Sequence, residues 1–292
     1  MFALLLAPTL AFADVHRHAS LPVATRDGRV IAFQSDRDGP SHLFVMGADG
    51  KNELRITNTP AEDMGPDWNE DGSVLVFASW NGENAPMKIE TIRADGTLRR
   101  TVFAAKGKNE VSWPRFSPDG KQIAFNAARE DGGYDIMIVD ADGSHPRKFE
   151  SHLSSAWNPA WSPDGKQLAF TDYSKGKATT ESRTKLYVAN LDGDNRRLVA
   201  VLPGVAQLPR WSHDGKRIAL QTYDGSKDIN ILVVDAGRGE YKFVTHHARP
   251  PYGDETPSWL PDGTLLFQSN RDGVMHVYRM TADGKKQFRL TR

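Results

Sequence analysis

Short runs of alternating apolar and polar residues recur along this chain, separated by tight-turn sequences. One stretch sets the pattern: Trp161-Ser162-Pro163-Asp164-Gly165-Lys166-Gln167-Leu168-Ala169-Phe170. Pro163 presets φ for the second turn position, Asp164 can hydrogen-bond its own backbone, and Gly165 accepts φ > 0. The run that follows reads as a half-buried strand. The Asp-Gly turn returns at Asp27, Asp71, Asp119, Asp214 and Asp262, at intervals of 44 to 50 residues. A second turn follows within each unit, at Asp49, Asp95, Asp142, Asp192 and Asp283, with Asp235-Ala236-Gly237 in its place in the fifth. A period of that length with four strands per unit is the signature of propeller blades.

Each unit parses into strands a to d. Strand a carries Pro-x-Trp, ending at Trp68, Trp161, Trp211 and Trp259, with Phe116 in the third unit and Leu21-Pro22-Val23-Ala24 in the irregular first. No stretch has a helical period over a dozen residues. The expected fold class is all-β, a six-bladed β-propeller of four-stranded antiparallel blades covering about 20–58, 66–104, 114–150, 159–202, 209–246 and 257–292. One blade cannot bury both of its faces, and stacking six around an axis covers them. The aromatic residue ending strand a is assigned to packing between blades. The last unit contains its own strand d, Phe288-Arg289-Leu290-Thr291. The ring should therefore close by side-chain packing of the first blade on the last, making that seam the weakest joint. The alternative is that Asp14 to Ser20 adds to an exposed edge.

Composition narrows the function classes. Lys+Arg and Asp+Glu are both 37, a formal charge of zero, which disfavours a nucleic-acid binder. There is no cysteine, so disulfides and cysteine-based zinc sites are excluded. Residues 1–13 are apolar and end in Ala11-Phe12-Ala13, which predicts a cleaved signal peptide followed by a short arm, 14–19, and a periplasmic or secreted product. No other apolar run is long enough for a membrane helix, so no membrane insertion is expected, and a monomer is assumed.

Chemistry is expected on loops held by the rigid blades. In an up-and-down blade the d–a and b–c loops share one face. Residues just before each strand-a proline should rim the axial channel there. The candidate ligand-binding residues are Asp63, Met64, Glu110, Ser112, Trp113, Trp157, Asn158, Gln207, Asp254 and Glu255, with Tyr252 from the last d–a connection. Trp113 and Trp157 sit at offsets that packing does not demand. Aromatic faces beside carboxylates suit a peptide, a cation or a sugar. Calcium or another divalent metal could sit among the rim carboxylates, though no cofactor is required. Cleavage after Ala13 would leave Asp14-Val15-His16 at the new N-terminus. Its amine, two amide nitrogens and the His16 imidazole would make a square-planar set for Cu(II) or Ni(II), with Asp14 and His16 as the named ligands. No Gly-x-Ser-x-Gly elbow and no His-Glu-x-x-His helix is present.

Phe116-Ser117-Pro118-Asp119-Gly120-Lys121-Gln122-Ile123-Ala124-Phe125 resembles the repeat of the TolB-like propeller family, as do Asn270-Arg271-Asp272-Gly273 and Asp36-Arg37-Asp38-Gly39. The resemblance covers about residues 20–292. It implies a protein or peptide partner in the cell envelope, possible kinship with the Tol–Pal system, and a scaffold function at the channel mouth. TolB carries an α/β domain before its propeller, and this sequence has none between the candidate leader and the first repeat. Similar blades occur in oligogalacturonate lyases and in propeller peptidases. The alternative reading is therefore a lyase or glycan hydrolase using loop carboxylates and histidines with a divalent metal.

Overall fold

A computed structural model describes residues 19–107, 109–172, 181–223, 228–246 and 253–291. They form six four-stranded antiparallel sheets, each in simple sequential order. Strand a of the six blades runs Ser20–Ala24, Glu62–Trp68, Val111–Phe116, Ala156–Trp161, Val205–Trp211 and Asp254–Trp259. Each strand a touches the strand a of the next blade, including the first and the sixth, so these six strands line the axis of a closed ring.

The Asp-Gly turns form as the sequence dictates. In the fourth blade Asp164 Oδ1 accepts the backbone N–H of Lys166 at 3.1 Å and the Ser162 hydroxyl at 2.6 Å, and Gly165 has φ +70°. The hydroxyl is the main reason the Asp164 carboxyl lies below its ordinary pKa. After the turn, Leu168, Ala169 and Phe170 are fully buried. This corrects the expectation of a half-buried strand: a neighbouring blade covers each face.

The core is divided among the joints. Six apolar clusters each span one pair of adjacent blades, such as Phe125 with Val76 and Ile89, or Leu220 with Val188 and Leu202. The strand-a tryptophans pack at these joints, and three of the four also donate across them. Trp68 Nε1 reaches Val23 O at 3.2 Å, Trp161 Nε1 reaches Arg115 O at 3.0 Å, and Trp259 Nε1 reaches Arg210 O at 2.9 Å. The c–d turns add a second lock. A Cβ on Gly193 would lie 1.9 Å from Glu150 O, and one on Gly284 1.8 Å from Val244 O, so each turn is pressed on the preceding blade's backbone. In the fifth blade that place is taken by Gly239, at φ +75°, rather than by Gly237, because the turn there is longer and closes through Gly239 N–H to Asp235 O.

The seam between the first and last blades uses the same devices without a shared strand. Ile31, Phe33 and Met46 pack with Leu260, Leu266 and Val277, and Gly50 lies against Leu290 O. The first blade, irregular in sequence, is regular in backbone.

Candidate functional site

Every strand a carries a bulge at the same place. In the fourth blade Trp157 pairs with Thr171 and Ala160 with Ala169, so Asn158 and Pro159 oppose Phe170 alone. The same count of two residues against one holds in all six blades. The first bulged residue always precedes proline and has positive φ: Leu21, Gly65, Trp113, Asn158, Leu208 and Thr256, between 52° and 63°. Only one of the six is glycine. Left-handed backbone is costly for the others, most for β-branched Thr256, and it gathers on the axis. A bulge re-aims side chains. Here it turns one residue per blade into the channel.

Four of these bulges are clamped by an amide from the preceding blade. Gly65 N–H donates to Gln34 Oε1 at 3.0 Å, Asn158 N–H to Asn126 Oδ1 at 2.9 Å, Thr256 N–H to Gln221 Oε1 at 2.9 Å and Leu21 N–H to Gln268 Oε1 at 2.6 Å. The second blade has Ala78 where the clamp would stand. That gap and Gly65 leave room for the Trp113 indole, whose ring edge lies about van der Waals distance from where a Gly65 Cβ would be.

On the face of the d–a and b–c loops the channel opens into a cavity of about 90 Å³. Met64, Glu110, Ser112, Trp113, Trp157, Asn158, Gln207 and Glu255 line it, so the structure brings together most of the residues expected from sequence. The two tryptophans differ. Trp157 is buried and stacks on Tyr134, ring centroids 5.5 Å apart, whereas Trp113 is part-exposed in the cavity. The Tyr134 hydroxyl donates to Glu110 Oε2 at 3.1 Å. Burial raises the Glu110 carboxyl above its ordinary pKa, opposed by the hydroxyls of Ser112 and Tyr134. Glu255 accepts from Gln268 Nε2 at 2.9 Å. Both side-chain atoms of Asn158, 2% exposed, lack a hydrogen-bond partner among the described residues, as do Gln207 Nε2 and Thr256 Oγ1. Buried polar atoms without partners are rare, and here all four belong to residues that line the cavity.

Asp63 and Asp254 do not line this cavity. Asp63 is fully buried and held by both Arg99 terminal nitrogens at 2.8 and 2.9 Å, and Asp254 is paired with Arg271 at 2.7 Å. They tie strand a to the outer strands. Their arginines stack over Phe77 and Phe267. Tyr252, Asp14 and His16 lie outside the described residues, as do His18 and His247. Among the described residues no three His, Asp or Glu side chains gather closely enough to hold a metal ion.

Sequence reasoning missed the other end of the channel. The residue after each proline (Val23, Asp67, Arg115, Ala160, Arg210, Ser258) faces a second cavity of about 420 Å³ on the a–b side. Arg210 Nη1 reaches Asp67 Oδ1 at 3.0 Å. These residues belong to the fifth and second blades, which face each other across the ring, so this ion pair spans the axis. The available signal was the residue after proline, charged in three blades and apolar or small in the rest.

The family model for the TolB beta propeller domain matches residues 48–180 and again 126–292. A TolB homolog from Chlorobium luteolum is 31% identical over 119 residues, 41% of this chain and 26% of that protein, so the match spans about a quarter of the relative's length. Among solved structures, TolB from Acinetobacter baumannii superposes with a TM-score of 0.72 at 18% identity, covering 91% of this chain and 64% of that one. An oligogalacturonate lyase in complex with manganese superposes with a TM-score of 0.61, also at 18% identity, over 91% of this chain and 89% of that one. At such identities the superpositions show a shared fold. The family match covers most of the repeat region: the chain belongs to the TolB β-propeller family.

Proposed function

We propose that this protein is an envelope binding module that takes an extended peptide segment of a protein partner into the channel mouth on the d–a face. One observation carries the reading: Asn158 presents a buried amide with both its oxygen and its nitrogen unpaired beside the part-exposed Trp113 indole. A primary amide is the complement of a peptide unit, offering one acceptor and one donor. Met64, Leu21 and Leu208 supply apolar wall, and the aromatic ring supplies an anchor. A periplasmic location is supported by the apolar run 1–13 and by likeness to relatives such as the Tol-Pal system protein TolB of Anaeromyxobacter dehalogenans.

The test is capture of partners from an envelope extract by the full chain, with Trp113→Ala and Asn158→Ala as comparisons. Both variants should keep the wild-type thermal transition within a few degrees. Each should weaken capture, Trp113→Ala by roughly thirtyfold or more in Kd, the scale of an aromatic hot spot. Capture unchanged in both variants would overturn the reading.

A second reading, an enzyme acting on a glycan, draws on one feature. Glu110 shares the cavity with Glu255 and holds its proton to higher pH than an ordinary carboxyl, as a proton donor must. The likeness to an oligogalacturonate lyase supports that alternative. Turnover of an acidic oligosaccharide that Glu110→Gln abolishes would favour it over the binding module.

A further inference from the structure

The cavity on the a–b face has a floor of unequal charge. Arg115 is 5% exposed, and the only acceptor it reaches among the described residues is its own neighbour's carbonyl, Pro114 O at 2.8 Å. Arg210 stands close enough to repel it, and Asp67, already bound to Arg210, attracts it only in part. Burial, then Arg210, pull the Arg115 pKa down to about 9. The second Asp67 oxygen is also engaged, accepting the Phe116 N–H at 3.0 Å. Two guanidinium groups therefore share one carboxylate, and that carboxylate has no lone pair directed at Arg115 by any bond in the structure.

A buried arginine without a carboxylate is expensive to keep. Replacing such groups with apolar residues is commonly neutral or stabilising. Arg115 is not forced by the fold, because the same register position holds Val23 in the first blade and Ala160 in the fourth. Two indoles of the cavity wall bond backbone, Trp161 to Arg115 O and Trp259 to Arg210 O, so the walls fix where both arginines start.

We propose that the a–b mouth is an anion site, distinct from the cavity on the d–a face, in which the forks of Arg115 and Arg210 receive one carboxylate group. The charge count selects the ligand. Arg115 and Arg210 against Asp67 leave one positive charge on the floor. At the rim, Arg26 and Glu70 offset each other. Desolvation, then Arg26, hold His213 below its ordinary pKa, so it adds no charge at neutral pH. A single negative charge completes the site, while a phosphate dianion would leave an excess beside Asp67. Planar guanidinium matches planar carboxylate through paired N–H···O bonds. A free organic acid and a peptide side chain both carry such a carboxylate, and the experiment separates them.

The test is titration of the full chain at fixed ionic strength with acetate, with a blocked peptide carrying one glutamate, and with inorganic phosphate. Calorimetry and the thermal midpoint are the readouts. Saturable binding of acetate identifies a free acid as sufficient, and binding of the peptide alone identifies a chain-borne carboxylate. In either case Arg115→Met should weaken binding at least about tenfold, the loss of one charge-assisted pair. Should that variant fail to fold, Arg115→Lys keeps the charge, loses the fork and should still bind several-fold more weakly. Asp67→Asn should tighten carboxylate binding by removing the competitor. No saturable response to acetate or peptide, an equal response in the Arg115 variants, or tighter binding of phosphate than of acetate would each overturn the assignment. None of these residues lies in the d–a cavity, so partner capture there is read independently.

Discussion

Gly193 shows how a single position can be decided by its neighbour blade. Its φ of +90° is open to glycine at little cost, and Glu150 O occupies the space where a Cβ would point. That carbonyl is backbone and cannot rotate away. Gly82 makes the contrast, with φ +83° and nothing within 4 Å of a Cβ. Alanine at Gly82 should cost about 1 kcal/mol, the left-handed penalty alone. Alanine at Gly193 should cost about 2–4 kcal/mol, since the joint itself must move. Denaturant midpoints of the two variants measure the difference, and equal losses would show that the turn is not pressed on the adjacent blade. The Asp-Gly turns were legible in sequence because their conformation is local. The role of Gly239 was not, because the carbonyl that demands it, Val199 O, belongs to another blade.

The same division runs through the elements. The turn chemistry and the alternating runs carry the strands, and the periodicity carries their number. The bulge in strand a is another matter. Pro-x-Trp was visible as a repeat, but proline says nothing by itself of two residues opposing one, or of a left-handed residue before it. The bulge explains why the residues expected at the rim converge as they do. It aims Trp113 and Asn158 inward, whereas Asp63 and Asp254, further back along the strand, meet arginines from the outer part of their own blades. Counting carboxylates ahead of the proline could not separate Glu110 and Glu255 from those two. The partners Arg99 and Arg271 lie 36 and 17 residues away in sequence. The tryptophans ending strand a were assigned to packing, and they do pack. The indole N–H groups of Trp68, Trp161 and Trp259 also tie adjacent strands a together, a use that needs the neighbour's carbonyl in place.

At the scale of the whole ring, the six joints are alike in side chains and unlike in connectivity. Five of them join blades that are consecutive in the chain. The joint between the first and last blades rests on noncovalent contacts alone among the described residues, including the Gln268 clamp, Ala19 N–H to Met275 O at 3.2 Å, the Gly50 turn against Leu290 O, and one apolar cluster. If the first blade peels away, two joints are lost and four remain. If an inner blade unfolds, the chain on both sides still holds its ends. Local opening should therefore be cheapest at the seam. Gln268 and Gln221 make a matched pair, since each clamps a bulge N–H across a joint and each spends its amide nitrogen on strand a of its own blade. Removing either leaves one buried N–H unpaired, a loss of about 1–3 kcal/mol. Gln268→Ala should speed native-state hydrogen exchange across Ser20–Ala24 and Val30–Ser35 while leaving the middle blades protected. Gln221→Ala should lower global stability with no such local gain, because the chain itself holds the fifth and sixth blades together. Exchange that rises equally around the ring in both variants would mean that the seam is as cooperative as any other joint, and that the closing contacts match a covalent connection in holding the propeller shut.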